Sequence, residues 1–445
     1  MYFWQYRRCK ERCSLYLLQI FVYYSLIVLI KTDNCNIFPE YNLYLGTKTP
    51  YRLIANLSDH KIEVKGCTPL KIWYLIRHGT RNPGAGFINK ANQRLSHIRD
   101  QIIQNKHLLN KTTKCINGFD KWHMDVKELE AKNLRLEGED EMVLLAERMQ
   151  KRFPEILSHI YSNTSYFFKY TKTQRTKASA SCFTKGLFGK FVSRDIWYPE
   201  SLEKDPVLRF YKLCTKWQTT IKKRPETLKE RELLKQKYGK QIIESLNKTL
   251  GFGLLTTMED VHLIYTMCSF ETAWQKRKES VWCSLLDKET FKVLEYYEDL
   301  KYYWIDGYGN SLNHNQACVA FQDLINFFEN EDPYPKAKIY FTHSGTLLKM
   351  IAHFGLYKDV LPLTHKNFQK ISNRQWKVSK IDAFGTNLAL VLYRCEDQLK
   401  VLTLHQERIV YPLGCPREHL LCNLNDFKKN FKHSINCQFD KMCSL

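Results

Sequence analysis

The chain is missing several patterns that would place it quickly. None of its cysteines forms a CxxC pair, so the spacing that holds structural zinc is absent. There is no zinc-finger spacing, RNA-binding signature or basic zipper, which removes nucleic acid as the expected partner. Beyond residue 30 no stretch is apolar enough to cross a bilayer, and neither an internal repeat nor a low-complexity tract occurs. Acidic residues are the scarcer charge, 46 against 68 Lys and Arg, leaving a formal net charge of +22. That excess is spread along the chain and points to an anionic partner, of which an acidic membrane surface or a polyphosphate remain. With 44% hydrophobic and 26% charged residues the composition is that of a globular protein and argues against disorder. Its 445 residues suffice for one large domain or two closely joined ones.

Cysteine is not scarce. Fifteen occur, dispersed, with a late group at Cys415, Cys422, Cys437 and Cys443. Without zinc spacing, disulfides in an oxidising compartment are the better reading; connectivity stays open, and the odd number leaves at least one thiol unpaired or bridging to another chain. Residues 1–30 agree. Arg7, Arg8, Lys10, Glu11 and Arg12 form a net-positive start before an apolar run from 15 to 30, broken only by Gln19 and Ser25. This is the pattern of a secretory signal peptide or, since no A-x-A site follows, of an uncleaved anchor with membrane association through this segment. Glycosylation sequons start at Asn56, Asn110, Asn163 and Asn247.

The most informative stretch is KIWYLIRHGTRNP at 71–83. Residues 71–76 form a short apolar run with β-branched and aromatic members, the pattern of a strand buried on both faces. Arg77, His78, Gly79, Thr80 and Arg81 follow at once. In open α/β sheets ligands bind beyond the carboxyl ends of strands, so a histidine there is held on a rigid element. Arg77 and Arg81 supply planar, permanently charged forks suited to phosphate oxygens. A neutral imidazole beside them can attack phosphorus. The same geometry is expected twice more. A strand at 166–170 leads into a small-residue helix with Arg175 at the switch, and KIYFT at 338–342 ends at His343.

Around these units the chain divides into a leader (1–30), a polar lead-in (31–66), a first α/β part (67–193), a Lys- and Glu-rich helical insertion (194–334), a second α/β part (335–405) and a Cys-rich tail (406–445). A helix is expected near 139–153, with Glu139, Asp140 and Glu141 at its acidic start and Pro154 ending it. Another opens near Leu347, and 387–395 with 398–404 reads as a strand hairpin.

The strand followed by RHGxRxP resembles the histidine acid phosphatases. YLGTKTPYR, GCTP, RTKASASCF, KVLEYYEDLKYYWIDGYG and the block 340–395 resemble, within them, the multiple inositol polyphosphate phosphatases, whose substrates include phytate. The resemblance implies an α/β phosphoglycerate-mutase-like core, with a mixed central sheet flanked by helices and a mostly helical cap. It implies a phosphomonoesterase without metal or other cofactor, acting on inositol polyphosphates or bisphosphoglycerate. His78 maps onto the nucleophile, Arg77, Arg81 and Arg175 onto the phosphate-binding arginines, and His343 onto the distal histidine; Thr80 is expected among the substrate contacts. One departure stands out. The family places a proton-donating acid just after the distal histidine, where this chain has Ser344 and Gly345. That acid protonates the leaving alcohol and then activates water, and such catalysis is worth about 10²–10⁴-fold. Its loss sets two readings side by side, a phosphatase and a pseudophosphatase that binds polyphosphates with little turnover.

Overall fold

The computed structural model describes residues 40–108, 114–254, 256–276 and 278–445; the leader at 1–30 and the sequon at Asn110 lie outside them. The strand of the RHG motif, β1 (Cys67–Arg77), is buried without interruption from Lys71 onward. Its side chains alternate between two apolar cores. Trp73 and Leu75 enter one, and Ile72, Tyr74 and Ile76 enter the other. A strand with no polar face must sit inside a sheet covered on both sides, and this one does.

The sheet also contains β2 (Tyr166–Tyr170), β3 (Ala337–Thr342), β4 (Asn387–Cys395), β5 (Gln398–His405), β6 (Arg408–Ile409) and β7 (Cys422–Asn423). Their order is β2-β3-β1-β4-β5-β6, with β7 pairing β5. β2, β3 and β1 run parallel, whereas β4 is antiparallel to β1 and the remaining pairs are antiparallel. The sheet is therefore mixed, and the expected hairpin is β4 with β5.

One face is covered by α1 (Leu136–Arg152) and α2 (Gln174–Val192), which bring Met142, Leu145, Met149, Phe183 and Leu187 onto Ile72 and Tyr74. Between β2 and β3 the described residues contain no strand. That stretch holds α3 (Lys229–Leu250), α4 (Met258–Trp274), α5 (Lys288–Asp306) and α6 (Cys318–Glu329). Together with α7 (Ser344–His353) they build the second core over the opposite face. Short helical turns at Tyr41–Tyr44, Gly46–Lys48 and Tyr51–Leu53 carry the lead-in across the same end of the sheet.

Disulfides tie distant parts together. Cys67–Cys395 joins neighbouring ends of β1 and β4, and Cys268–Cys283 closes a short loop after α4. The tail is fastened by Cys214–Cys443, Cys318–Cys437 and Cys415–Cys422. Among the described residues Cys182 is a free thiol.

Two helix starts differ from the sequence pattern. α1 begins at Leu136, so Glu141 is not a solvated first-turn acid but a buried one. α7 begins directly after His343 instead of at Leu347, which puts Ser344 and Gly345 in its first turn.

Candidate active site

Parallel pairing brings the functional ends into line. Tyr170 pairs with Phe341 and Arg77 with Thr342, so β2, β3 and β1 finish side by side. His78 follows β1, His343 follows β3, and Arg175 is the second residue of α2, after the turn from β2. The two imidazole centroids lie 5.6 Å apart at an interplanar angle of 63°.

The backbone around His78 is fixed from three directions. Its amide donates to the Thr342 carbonyl (3.1 Å), its carbonyl accepts from Gly385 (3.1 Å), and the Gly79 amide donates to the Ser179 hydroxyl of α2 (3.1 Å). Nδ1 of His78 lies 2.9 Å from the Gly79 carbonyl oxygen. A carbonyl only accepts, so Nδ1 carries the hydrogen and Nε2 keeps its lone pair. His343 is oriented through Nε2, 2.9 Å from the Thr171 hydroxyl, and Nδ1, 3.3 Å from Nη2 of Arg175. Both rings are buried. Burial first, and then Arg175 and the other arginines, push both imidazoles well below their usual range, so they are neutral bases near pH 7.

Gly79 is needed for a close approach. A Cβ there would meet the Gly138 carbonyl oxygen at 2.5 Å, and one on Gly138 would meet the Thr80 carbonyl oxygen at 2.2 Å. The first turn of α1 thus packs backbone to backbone on the motif loop. Glu141, one turn further on, accepts from the amides of Thr80 (2.7 Å) and Tyr51 (2.8 Å) and from the Thr80 hydroxyl (2.9 Å). Thr80 was expected to contact substrate. Instead it is fully buried with both donors committed to Glu141, and it holds the loop rather than lining the gap.

The arginines surround the imidazoles. Arg77 donates from Nη1 to the carbonyls of Thr47 (3.0 Å) and Asp382 (2.5 Å), and its guanidinium lies 4.9 Å from the Phe384 ring centre. Arg81 donates to the Asn82 carbonyl (2.6 Å) and faces the rings of Phe384 and Phe270. Nε of Arg77, Arg81 and Arg175 is in each case buried without a hydrogen-bond partner. Burial and mutual repulsion lower Arg81 to about 9 and Arg175 to about 10. Cations that lower one another's proton affinity are an uncompensated positive charge, which an anion among them relieves.

Three participants were not among the residues that the sequence marked for the site, although Thr47 lies within YLGTKTPYR. Arg209 presses on both Arg175 and His343 from the stretch before α3. Thr47 lies in the lead-in, and Asp382 lies just before β4. Ser344 and Gly345 stand half-exposed beside His343, and the Ser344 hydroxyl donates to the Asp382 carboxylate. Among the described residues no group of His, Cys, Asp and Glu is arranged to hold a metal ion.

Residues 71–408 match the family described as histidine phosphatase superfamily (branch 2). The chain belongs to this superfamily. As a branch 2 histidine phosphatase it is a phosphomonoester hydrolase on a mixed α/β sheet flanked by helices. It is 31% identical over 404 residues to multiple inositol polyphosphate phosphatase 1 of Drosophila melanogaster, covering 87% of this chain and 84% of the relative. The Homo sapiens protein of that name is 27% identical over 442 residues, covering 90% and 89%. Among solved structures, the phytase from D. castellii superposes with a TM-score of 0.74 at 16% identity, over 91% of this chain and 87% of that one. The multiple inositol polyphosphate phosphatase of Bifidobacterium longum, in complex with inositol hexasulfate, gives 0.62 at 13% identity, over 86% and 96%. These last two likenesses concern the fold.

Proposed function

We propose that this histidine phosphatase hydrolyses phosphomonoesters of inositol polyphosphates of the phytate kind, and bisphosphoglycerate as a smaller substrate, through a phosphohistidine on His78. Nε2 of His78 attacks phosphorus in line while Arg77, Arg81, Arg175 and His343 stabilise the equatorial oxygens. One observation carries this reading: two neutral imidazoles and three guanidinium groups converge at the ends of three adjacent parallel strands.

A neighbouring cavity supports the choice of a multiply phosphorylated substrate. About 520 Å³ in volume, it is lined by Lys48, Lys90, Arg231, Lys235, His262 and Lys301, with Glu259 and Glu298 among them. Its lining is linked to the arginines through Thr47, which precedes Lys48, accepts from Arg77 and sets its hydroxyl 3.4 Å from that of Tyr302, the neighbour of Lys301. A ring carrying several phosphates would place one among the arginines and others against these lysines. The names of the relatives point the same way.

The second reading, capture of polyphosphates with little turnover, is favoured by one fact: neither Ser344 nor Gly345 carries a carboxyl group. Incubation with phytate and assay of released phosphate separates the two. Hydrolysis is expected to release phosphate and to leave an acid-labile label on His78, absent from His78→Ala. A tight complex without release would establish capture instead.

Function in the lumen of the secretory pathway or outside the cell fits the disulfides and the sequons. Asn163 is exposed, whereas the Asn56 amide already donates to the Glu407 carbonyl (3.1 Å), so Asn163 is the better acceptor for a glycan. Membrane association would run through the apolar leader; among the described residues no helix is long and apolar enough to span a bilayer.

A further inference from the structure

Two carboxyl groups stand near the position where the family's proton donor is missing. Asp306 is the nearer to residue 345, for a Cβ built on Gly345 would lie 3.4 Å from its Oδ1. That oxygen, however, is held by the Lys349 ammonium, which is itself wholly buried.

Asp382 is differently placed. Its side chain is fully buried, its Oδ2 accepts from the Ser344 hydroxyl, and its Oδ1 is buried with no hydrogen-bond partner. Oδ1 lies 3.6 Å from Nη1 of Arg77, the residue before His78. Two positions on, Phe384 sets its ring 6.2 Å from that of His78. Ser344, which follows His343 directly, is half-exposed in the first turn of α7 and is bonded to this buried carboxyl.

We propose that Ser344 and Asp382 form a proton relay that takes over the work of the missing acid, with Ser344 as the catalytic group and Asp382 as the positioning residue and proton source behind it. The inference rests on the hydrolase reading above. In the first half-reaction the Nε2 lone pair of His78 forms the N–P bond as the P–O bond to the leaving alcohol breaks. With Asp382 neutral, its proton sits on Oδ2 and the shared hydrogen bond runs from Asp382 to Ser344, so the Ser344 O–H turns to the leaving alcohol. The departing oxygen takes that hydroxyl proton, and Ser344 Oγ takes the proton of Asp382, leaving a carboxylate. In the second, water attacks phosphorus and gives its proton back through Ser344 to Asp382, while the N–P bond breaks and its electron pair returns to Nε2. No other reactant is consumed.

The protonation state fits. Burial raises the Asp382 carboxyl to about 7. Arg77 from β1, the Ser344 hydrogen bond and Lys48 from the lead-in oppose that rise, and Asp306 from α5 adds to it.

The test compares leaving groups. An alkoxide leaving group, as in phytate, needs the proton, whereas the phenolate of p-nitrophenyl phosphate leaves without one. Asp382→Asn is expected to lower kcat/KM for phytate about 10²-fold and that for p-nitrophenyl phosphate less than about tenfold. The wild type is expected to lose phytate kcat/KM above pH about 7, where Asp382 gives up its proton, and Asp382→Asn should not show that fall. Ser344→Ala should give the same asymmetry, which guards against misfolding of the buried variant. Gly345→Glu added to Asp382→Asn should recover most of the loss, since ordinary contact distances surround a Cβ at 345. Equal losses on both substrates, or none on phytate, would overturn the relay while leaving the hydrolase intact. Wild-type protein releasing phosphate from neither substrate would overturn the hydrolase reading, and the relay with it.

Discussion

At the scale of single residues, charge is managed in opposite directions within one end of the molecule. His78 and His343 are held neutral, so the unfolded chain takes up protons below about pH 6.5 that the folded chain refuses. Each therefore contributes stability that is present above that pH and lost as pH falls through it. A thermal scan is expected to show Tm dropping between pH 7 and pH 5, with inorganic phosphate restoring part of the drop through the arginines. An unchanged Tm on adding phosphate would argue that the cationic cluster does not take an anion. Glu298, beneath the basic cavity, is the reverse case. Burial pushes its carboxyl up, but Lys48, Lys301, His262 and Arg231 together hold it well below the usual carboxylate range. Its contribution is present above pH about 4.3 and is lost as pH falls further. Glu298→Gln leaves its cations facing a neutral amide and is expected to cost about 3 kcal/mol at pH 7 by denaturant unfolding. The difference should shrink as pH falls below about 4.3, where the unfolded wild-type chain takes up a proton at Glu298 that the folded one refuses. The sequence does not point to these contacts, because a pairing between residues 48 and 298 has no local trace.

At the scale of elements, the site depends on how closely α1 approaches the loop after β1. Gly138 and Gly79 leave no room for a Cβ between their backbones. Gly138→Ala is expected to destabilise the protein by about 1–3 kcal/mol and to lower phytate turnover with it, since the displaced loop carries His78. Gly253→Ala is the control: a Cβ there meets nothing within 4 Å and the residue lies outside the basic cavity, so Tm and turnover should hold. Loss of activity in the control, or none in Gly138→Ala, would show that the close approach does not position the histidine. β1 was legible because the five central residues of its buried stretch, 72–76, make a continuous apolar run, and the RHG motif marks its end. The start of α1 was less so. Glu139, Asp140 and Glu141 resemble an acidic first turn, but the helix begins three residues earlier and turns Glu141 inward. Helical spacing shows that a face is buried, but not which acid on that face will find three donors.

At the scale of the whole molecule, the tail is joined to the helical part through Cys214–Cys443 and Cys318–Cys437, spanning 229 and 119 residues. Replacing Cys214 and Cys443 by Ser is expected to lower stability by roughly 2–5 kcal/mol, measured by denaturant unfolding, because long loops gain most from closure. A smaller change would mean that the tail is held by its apolar contacts, among them Phe427 and Phe431 against Phe321 and Phe354. These pairings join cysteines far apart in the chain, and spacing alone could not choose between them.

By itself the sequence determined the elements whose cause is local: the buried strand before the RHG motif, the strand and helix flanking Arg175, the strand ending at His343, and the helical character of the stretch between them. Each follows from residue pattern over a few turns or strand positions, and the motif is written in consecutive letters. Only the tertiary structure decided that the strand order is β2-β3-β1, which sets the three functional ends side by side. It alone placed Asp382 behind Ser344, committed Thr80 to Glu141 and brought Thr47 and Arg209 to the site. The physical reason is that hydrogen bonding and charge interactions act over a few ångströms of space, while the residues concerned are tens to hundreds of positions apart along the chain.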